Sequence, residues 1–230
     1  MSSPSPSERV TRRSRPEGGD GFLDVECCRD VLDPFRERWR DLAAEAAQLG
    51  DGWMEHPNNY HAPAGWYLSP VRFFGIDNPG AIAAAPLLGE LVARDGRVMT
   101  AQYLRLAPGA DVAPHRGQAM GVGRFHLGLS VPEDCALEVE GVTRRWVEGE
   151  WLGFDDSRVH STWNHSDRDR IVLSLDLEHR DIPMPRRAYV RRFVEGSFYE
   201  FFRRHPGALR MHMWFNRSVR SRVRPLDRSH

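Results

Sequence analysis

The sequence predicts a mainly-β fold with flanking helices, in which the strands are wound as a jelly roll. Between about residues 98 and 178, short segments rich in β-branched and aromatic residues alternate with turns of Gly, Pro and Asp. Segments whose apolar residues recur at helical spacing lie before and after this block, and none lies within it. Strands without crossover helices between them are typical of a sandwich or a jelly roll.

The chain has the length of one ordinary domain. Its 230 residues can bury a core without disulfide bonds. We expect residues 21–216 to form this domain, with a strand-rich core at about 98–178. Residues 1–20 are mostly Ser, Pro, Gly and charged residues, which predicts a disordered N-terminal arm, and residues 217–230 predict a loose basic tail.

Composition excludes several classes of function. All of the positive charge comes from arginine, because the sequence contains no lysine, and this rules out Schiff-base chemistry and a P-loop lysine. The three cysteines have no CxxC spacing, which predicts reduced thiols in a cytoplasmic protein rather than a zinc or redox motif. No run approaches the roughly 20 apolar residues that span a bilayer, so we expect no membrane association.

Two helices and a strand are predicted before the core. Asp33 precedes apolar residues at helical spacing, which predicts a helix of about four turns over residues 34–50, capped by this aspartate. Residues 66–75 have the β-branched and aromatic content of a strand or hairpin. Residues 81–93 predict a second helix, with Pro86 either in its first turn or interrupting it.

The core is predicted as a series of short strands, with a loop before the last. These strands are Val98–Leu106, Arg124–Val131, Ala136–Val139, Val142–Val147, Trp151–Phe154 and Ile171–Leu177. After them, five aromatic residues recur near helical spacing, which predicts a C-terminal helix at about 187–204 that packs its aromatic side chains on the sheet. They are Tyr189, Phe193, Phe198, Phe201 and Phe202.

Three residues of the core suggest a site for a metal and an oxo-acid. His115 and His160 each lie at the end of a strand-like segment, and Arg170 follows ten positions after the second histidine. A non-haem Fe(II) centre needs two neutral imidazoles and open coordination positions. An always-charged guanidinium is suited to the distal carboxylate of a co-substrate. We therefore predict that the histidines bind iron and that the arginine binds the oxo-acid.

Two more polar residues are expected in the same site. Arg124 and His126 lie two positions apart on one predicted strand, so their side chains must point to the same face of the sheet. If that face is the interior, both groups need polar partners, which favours a functional site over simple burial.

Several motifs of the core resemble one known family in their order and spacing. They are His115-Arg116-Gly117, Arg124-Phe125-His126-Leu127-Gly128-Leu129, Trp146 through Glu148-Gly149 to Phe154-Asp155-Asp156-Ser157, His160 and Arg170. Over about residues 98–178 the chain is similar to the aspartyl/asparaginyl β-hydroxylase family of 2-oxoglutarate-dependent oxygenases. This resemblance implies a double-stranded β-helix of cupin-like form. It also implies Fe(II) with 2-oxoglutarate and O₂ as co-substrates, and hydroxylation with release of succinate and CO₂.

The resemblance also implies roles for individual residues. His115 and His160 match the two iron ligands, and Arg170 matches the arginine that binds the far carboxylate of 2-oxoglutarate. His126 is expected near the C1 carboxylate of the co-substrate, and Arg124 is expected to serve either substrate or co-substrate. The pair Asp155-Asp156 is expected to shape the turn before His160 and to orient this histidine, rather than to bind metal.

Two positions depart from common patterns and leave the reaction open. Gly117 stands where most 2-oxoglutarate oxygenases carry a carboxylate ligand, although peptidyl hydroxylases of this family also have glycine there. The same substitution opens a halide position in other oxygenases, so a halogenase is the first alternative. Val122 stands where peptide-modifying members carry another arginine for an acidic side chain, which argues against an aspartate or asparagine substrate. A cupin-type protein that binds a metal or ligand without turnover, including a sensor, is the alternative from another class.

The substrate is expected to be a small molecule or a peptide, either free or carried by an acidic partner such as a carrier domain. Hydroxylation is expected at an unactivated carbon, for example the β-carbon of an amino acid, a peptide residue or a natural-product intermediate. The turn-rich loop at residues 51–65 could line the entrance for such a substrate. We expect no nucleic-acid partner, because basic residues are not interleaved with an aromatic platform.

Overall fold

The computed structural model describes residues 19–62, 64–117, 121–178, 194, 197–202, 204–216 and 218. The predicted disordered arm and basic tail lie almost entirely outside these residues, as do Tyr189 and Phe193 of the predicted C-terminal helix. In the described part of the chain, no helix is both long enough and apolar enough to cross a membrane.

Short strands dominate the described structure. In chain order they are β1 (Phe22–Leu23), β2 (Met54–Glu55), β3 (Trp66–Phe73), β4 (Ile76–Asp77), β5 (Val98–Leu106), β6 (Ala110–Arg116), β7 (Val122–Ser130), β8 (Cys135–Val139), β9 (Val142–Arg144), β10 (Trp151–Phe154), β11 (Val159–Asn164) and β12 (Arg170–Glu178).

The strands form two antiparallel sheets. The larger sheet has eight strands, in the order β1-β10-β7-β12-β5-β3-β2 with β4 paired to β3, and the smaller sheet has the order β6-β11-β8-β9. Strands that are distant in the sequence are neighbours in each sheet, and no helix lies among the described residues from β5 to β12. This arrangement confirms the predicted mainly-β, jelly-roll fold with flanking helices.

The helices cover the outer face of the larger sheet. They are α1 (Arg29–Arg36), α2 (Trp39–Ala47), α3 (Pro79–Ala84) and α4 (Pro86–Ala93), and a further helix, α5 (Pro206–Phe215), lies near the C-terminus. Leu32, Phe35 and Leu88 from the helices share one core with inward residues of the sheet. The Glu45 carboxylate accepts hydrogen bonds from the first backbone N–H groups of α4 and from the Tyr103 hydroxyl, so it ties two helices to the sheet.

A second core lies between the two sheets. It joins Leu104 and Val172 of the larger sheet to Leu137 and Val139 of β8. Side chains alternate along a strand, so Arg170, Val172, Ser174 and Asp176 of β12 face this interior, while Leu173, Leu175 and Leu177 face the helices. Strand β12 therefore presents polar residues to the space between the sheets, while its other face is entirely apolar.

The structure corrects two predicted helices. The first begins at Arg29 rather than after Asp33, and it ends at Arg36, shortly after Pro34. The predicted four-turn helix is divided into α1 and α2 at Arg38, whose φ of −107° and ψ of 17° are not helical. Pro86 separates α3 from α4, and Ala85 before it has a non-helical φ of −132°.

The C-terminal aromatic residues also differ from the prediction. Phe198 is 58% exposed and Phe201 is 48% exposed, so these two side chains do not pack on the sheet. Tyr199 does reach it, with its ring 4.8 Å from that of Phe73. Helical spacing of aromatic residues gives the face they share, but it does not give the surface on which that face packs.

Candidate active site

The structure brings His115 and His160 together across two neighbouring strands. They are directly paired residues of β6 and β11, and their ring centroids lie 4.4 Å apart. Cross-strand pairing thus joins two residues that are far apart in the sequence. His160 was predicted to end a strand-like segment within a region otherwise predicted as a loop, and the structure shows that it lies in the six-residue strand β11.

Both histidines are held in the tautomer that suits a metal. The Nδ1 of His115 lies 2.8 Å from the Ala113 carbonyl, and the Nδ1 of His160 lies 2.9 Å from the Arg158 carbonyl. A carbonyl only accepts hydrogen bonds, so Nδ1 carries the proton and Nε2 keeps its lone pair. Backbone carbonyls commonly orient metal-binding histidines in this way.

Burial keeps both imidazoles neutral. Desolvation, together with the neighbouring His160 and His61, which disfavour a positive charge, lowers the pKa of His115 to about 3. Burial also lowers the pKa of His160, although the Asp156 carboxylate opposes this shift. Two neutral imidazoles with free Nε2 atoms are ligands that suit Fe(II), Zn(II) or similar ions. In the described part of the chain, no third metal-binding side chain completes a cluster with them.

The Asp156 carboxylate fills the space beside Gly117. Asp156 is fully buried, and its Oδ1 lies 3.6 Å from the Nε2 of His160. A β-carbon added to Gly117 would overlap this carboxylate. Gly117 therefore has a steric reason to be glycine, because the carboxylate that enters from the turn before β11 occupies its side-chain direction. Asp155 has the turn-shaping role that was predicted, since its Oδ1 accepts hydrogen bonds from the backbone and hydroxyl of Ser157.

We expect Gly117→Ala to destabilise the protein by about 1–3 kcal/mol, because the added methyl group must displace a buried, paired carboxylate. Gly96→Ala is a matched control, since no atom lies within 4 Å of its added β-carbon. Urea unfolding of both variants checks the prediction. Equal stability of the two variants would show that Asp156 moves aside without cost.

Arg124 points into the site, as predicted, and two aspartates engage it. Its Nε and Nη2 donate to the two carboxylate oxygens of Asp176 at 2.7 and 2.9 Å, and its Nη1 donates to Asp156. Asp176 is the direct partner of Arg124 across β12 and β7. This cluster of one arginine and two aspartates carries a formal charge of −1, so the guanidinium does not offer a net positive charge to a ligand.

His126 lies inside the site without hydrogen-bond partners. It is 6% exposed, and neither ring nitrogen has a partner. Burial lowers its pKa well below the usual value, and the nearby Arg170 and Arg124 lower it further, so the ring is neutral. Its ring centroid lies 5.1 Å from that of Phe154 and 6.1 Å from that of Trp146.

Arg170 is a buried cation without a counter-ion among the described residues. It is 2% exposed, and its Nε and Nη1 lack hydrogen-bond partners. Its guanidinium carbon lies 4.7 Å from the ring centroid of Trp146. Burial lowers its pKa to about 10, which still leaves it charged at neutral pH. Because an unpaired buried charge costs several kcal/mol, this arrangement is suited to an anionic ligand.

Sequence reasoning missed several residues around the histidines. The ring of His61, in the short helical turn Asn59–His61, stacks on that of His115 at 4.5 Å. This residue belongs to the loop that the sequence analysis proposed as an entrance. The residue that follows helix α5 holds the loop in place, since the Asn216 side chain donates a 2.7 Å hydrogen bond to the Pro57 carbonyl. The position of Asp176 in the site could have been inferred from the alternation of side chains along β12. It lies six residues after Arg170, so its side chain points to the same face of the sheet.

Comparisons with known proteins point to one family of hydroxylases. The family described as aspartyl/asparaginyl beta-hydroxylase matches residues 36–180. An ornithine lipid ester-linked acyl 2-hydroxylase of Rhizobium tropici is 39% identical over 114 residues, which cover 48% of this chain and 41% of that protein. The aspartyl/asparaginyl beta-hydroxylase of Mus musculus is 37% identical over 173 residues, covering 69% of this chain and 23% of that protein.

The chain therefore spans less than half the length of these relatives. Among solved structures, an oxidoreductase of the 2OG-Fe(II) oxygenase family from Burkholderia pseudomallei aligns at 13% identity with a TM-score of 0.41, covering 71% of this chain and 92% of that one. The family match extends over more than half of the chain and includes strands β2 to β12 and all five predicted site residues. This chain belongs to the aspartyl/asparaginyl β-hydroxylase family.

Proposed function

We propose that this chain is an Fe(II)- and 2-oxoglutarate-dependent hydroxylase of an unactivated C–H bond. One observation carries the proposal. Two neutral imidazoles with free Nε2 atoms share the space between the sheets with a buried guanidinium that lacks hydrogen-bond partners on two of its nitrogens. The imidazoles fit a divalent metal ion, and the guanidinium fits a carboxylate.

Each residue has a defined part in this proposal. His115 and His160 hold Fe(II) through Nε2, and Arg170 binds the far carboxylate of 2-oxoglutarate. His126 is neutral and can donate one N–H to the C1 carboxylate. When bound, Fe(II) and 2-oxoglutarate supply the activation of O₂ that hydroxylation of an unactivated carbon requires.

The surrounding side chains control charge and water. Asp156 places a negative charge near the Nε2 of His160, which favours a cation there, and Arg124 holds this carboxylate in place. Trp146 and Phe154 are 3% and 1% exposed, and they contribute apolar walls beside His126 and Arg170. Such walls exclude water from the space in which the ligands would lie.

The reacting group of the primary substrate is proposed to be uncharged. An acidic side chain would require a free cation, but Asp156 and Asp176 engage Arg124, and Val122 is a fully buried apolar residue. The named relatives act on aspartyl or asparaginyl residues and on the acyl chain of an ornithine lipid. Amides and esters are therefore the proposed classes, within an amino-acid derivative, peptide, acyl compound or natural-product intermediate.

Hydroxylation is favoured over halogenation at this site. Halide binding would use the space beside Gly117, and the buried Asp156 carboxylate occupies that space. A halide ion bound beside Gly117 would lie only a few ångströms from the Asp156 carboxylate. The two negative charges would repel each other.

Purified protein with Fe(II), ascorbate, 2-oxoglutarate and chloride tests the proposal. We expect succinate to form only when Fe(II) is present, and we expect a library of peptides, amides and acyl esters to yield products that gain one oxygen atom by mass. A chelator-treated sample is the control. Chlorinated product would favour the halogenase, and the absence of succinate under all conditions would favour a non-catalytic binding or sensor protein.

The same assay tests whether a carrier is involved. If the amide or ester reacts equally well when free and when attached to a carrier domain, there is no reason to propose an acidic protein partner.

A further inference from the structure

A row of three polar side chains crosses the inner face of the larger sheet. Gln102 on β5 pairs with Ser174 on β12, and Ser174 pairs with His126 on β7. The three are 5%, 0% and 6% exposed. All three side chains face the space between the sheets, because strand parity places each on the same face as Arg124, Asp176 or Leu104.

Four polar atoms of this row lack hydrogen-bond partners. They are the Oε1 of Gln102, the Oγ of Ser174, and both ring nitrogens of His126. Buried polar atoms are nearly always paired in folded proteins, and leaving one unpaired costs about 1–3 kcal/mol. Three neighbouring residues on adjacent strands, each with a buried polar atom that lacks a hydrogen-bond partner, indicate a place where a polar ligand binds.

The short side chain of Ser174 leaves a depression between the two longer side chains of the row. Neighbouring strands lie about 4.8 Å apart, so Gln102 and His126 stand roughly 10 Å apart, on either side of the much smaller Ser174. A ligand that rests above the serine can contact both longer side chains. The serine hydroxyl can donate one hydrogen bond, and neutral His126 can donate another. Rotation of the Gln102 amide can supply a third donor.

The row lies on the path between the two proposed anchors of the oxo-acid. On one side, the His126 ring stacks near Trp146, which covers the Arg170 guanidinium. On the other side it contacts Phe154, whose ring centroid is 5.3 Å from that of His160. A molecule that reaches from Arg170 to the Nε2 atoms of the histidine pair must pass His126 and therefore its neighbours in the row.

We propose that Ser174 and Gln102 are binding residues for the oxo-acid, forming with His126 a hydrogen-bonding row along one side of 2-oxoglutarate. The inference rests on the proposed function. A dicarboxylate with a keto group offers only acceptor oxygens, which match the donors of the row. Arg170 fixes one end of the molecule, and the row fixes its rotation about the long axis.

Binding of 2-oxoglutarate to the full chain loaded with Mn(II) tests the proposal without turnover. Isothermal titration calorimetry of Ser174→Ala and of Gln102→Leu is expected to show a five- to tenfold weaker Kd in each variant, about 1–1.4 kcal/mol for one lost hydrogen bond. The affinity for Mn(II) itself, followed by electron paramagnetic resonance, is expected to stay unchanged. Ser69→Ala is the matched control, because Ser69 is 1% exposed and pairs with Tyr103, on the helix-covered face of the sheet.

The outcomes separate this inference from the proposed function. If the wild-type protein with Mn(II) does not bind 2-oxoglutarate, the proposed function fails. If the wild-type protein binds it and both variants keep the wild-type Kd, the row is filled by water or serves the primary substrate, and the inference is overturned. If one variant does not fold, the other decides the question alone.

Discussion

Replacing His160 with alanine is expected to lower the affinity for Fe(II) or Mn(II) by more than about a hundredfold and to abolish succinate formation. Loss of a residue that only supports a metal ligand costs about 10–100-fold, and loss of one of two protein ligands should cost more. The variant should still fold, because the removed ring leaves a space at the edge of the interior rather than in a main core. Mn(II) titration and the succinate assay check the two parts of the prediction.

His165→Ala is a suitable control for this experiment. His165 follows the same strand, but its side chain is 49% exposed and bonds to the exposed Asp111 at 2.7 Å. A surface pair of this kind contributes little to stability, so metal affinity and succinate formation should remain as in the wild type. Full activity in the His160 variant would show that the histidine pair does not hold the metal.

Arg170→Leu is expected to weaken 2-oxoglutarate binding by between about thirtyfold and several thousandfold, since truncating one partner of a buried charge pair costs about 2–5 kcal/mol. The ligand-free variant should be as stable as the wild type or more stable, because the substitution removes an unpaired buried cation. Opposite effects on binding and on stability distinguish a ligand-binding arginine from a structural one. Calorimetry with Mn(II)-loaded protein and thermal unfolding of the metal-free protein measure them.

Arg105→Leu provides the comparison. Arg105 pairs across β12 and β5 with Ile171, next to Arg170, but its guanidinium lies over the rings of Trp53 and Tyr67. Its loss should leave 2-oxoglutarate binding unchanged. A Kd for the Arg170 variant within threefold of the wild-type value would mean that the far carboxylate binds elsewhere.

The positions of most strands along the chain were accessible from sequence because they depend on local signals. Strands β5 and β10 have the predicted bounds, since apolar residues and Gly or Pro turns define their ends. Strand β11 was predicted as a loop, because Val159–Asn164 contains mostly polar residues. It becomes a strand through backbone pairing with both β6 and β8, and such pairing has no local sequence signal.

The details inside the site depend on tertiary contacts in the same way. Gly117 was identified as an ambiguous position, but its contact with Asp156 arises only when the turn before β11 meets the end of β6. Arg124 was predicted to face the interior, which strand parity determines. Its engagement by Asp176 was not predicted, because it requires the register between β7 and β12.

The formal charges of the interior side chains sum to zero, and this affects how strongly the two ligands favour each other's binding. Arg124 and Arg170 carry two positive formal charges, Asp156 and Asp176 carry two negative ones, and the histidines are neutral. A divalent ion alone would leave the closed space with an excess positive charge, and a dicarboxylate alone would leave an excess negative charge. Together they restore neutrality, so metal and oxo-acid should bind cooperatively, each raising the affinity for the other by the same factor. In a cell, such coupling would raise the occupancy of each ligand when the other is available.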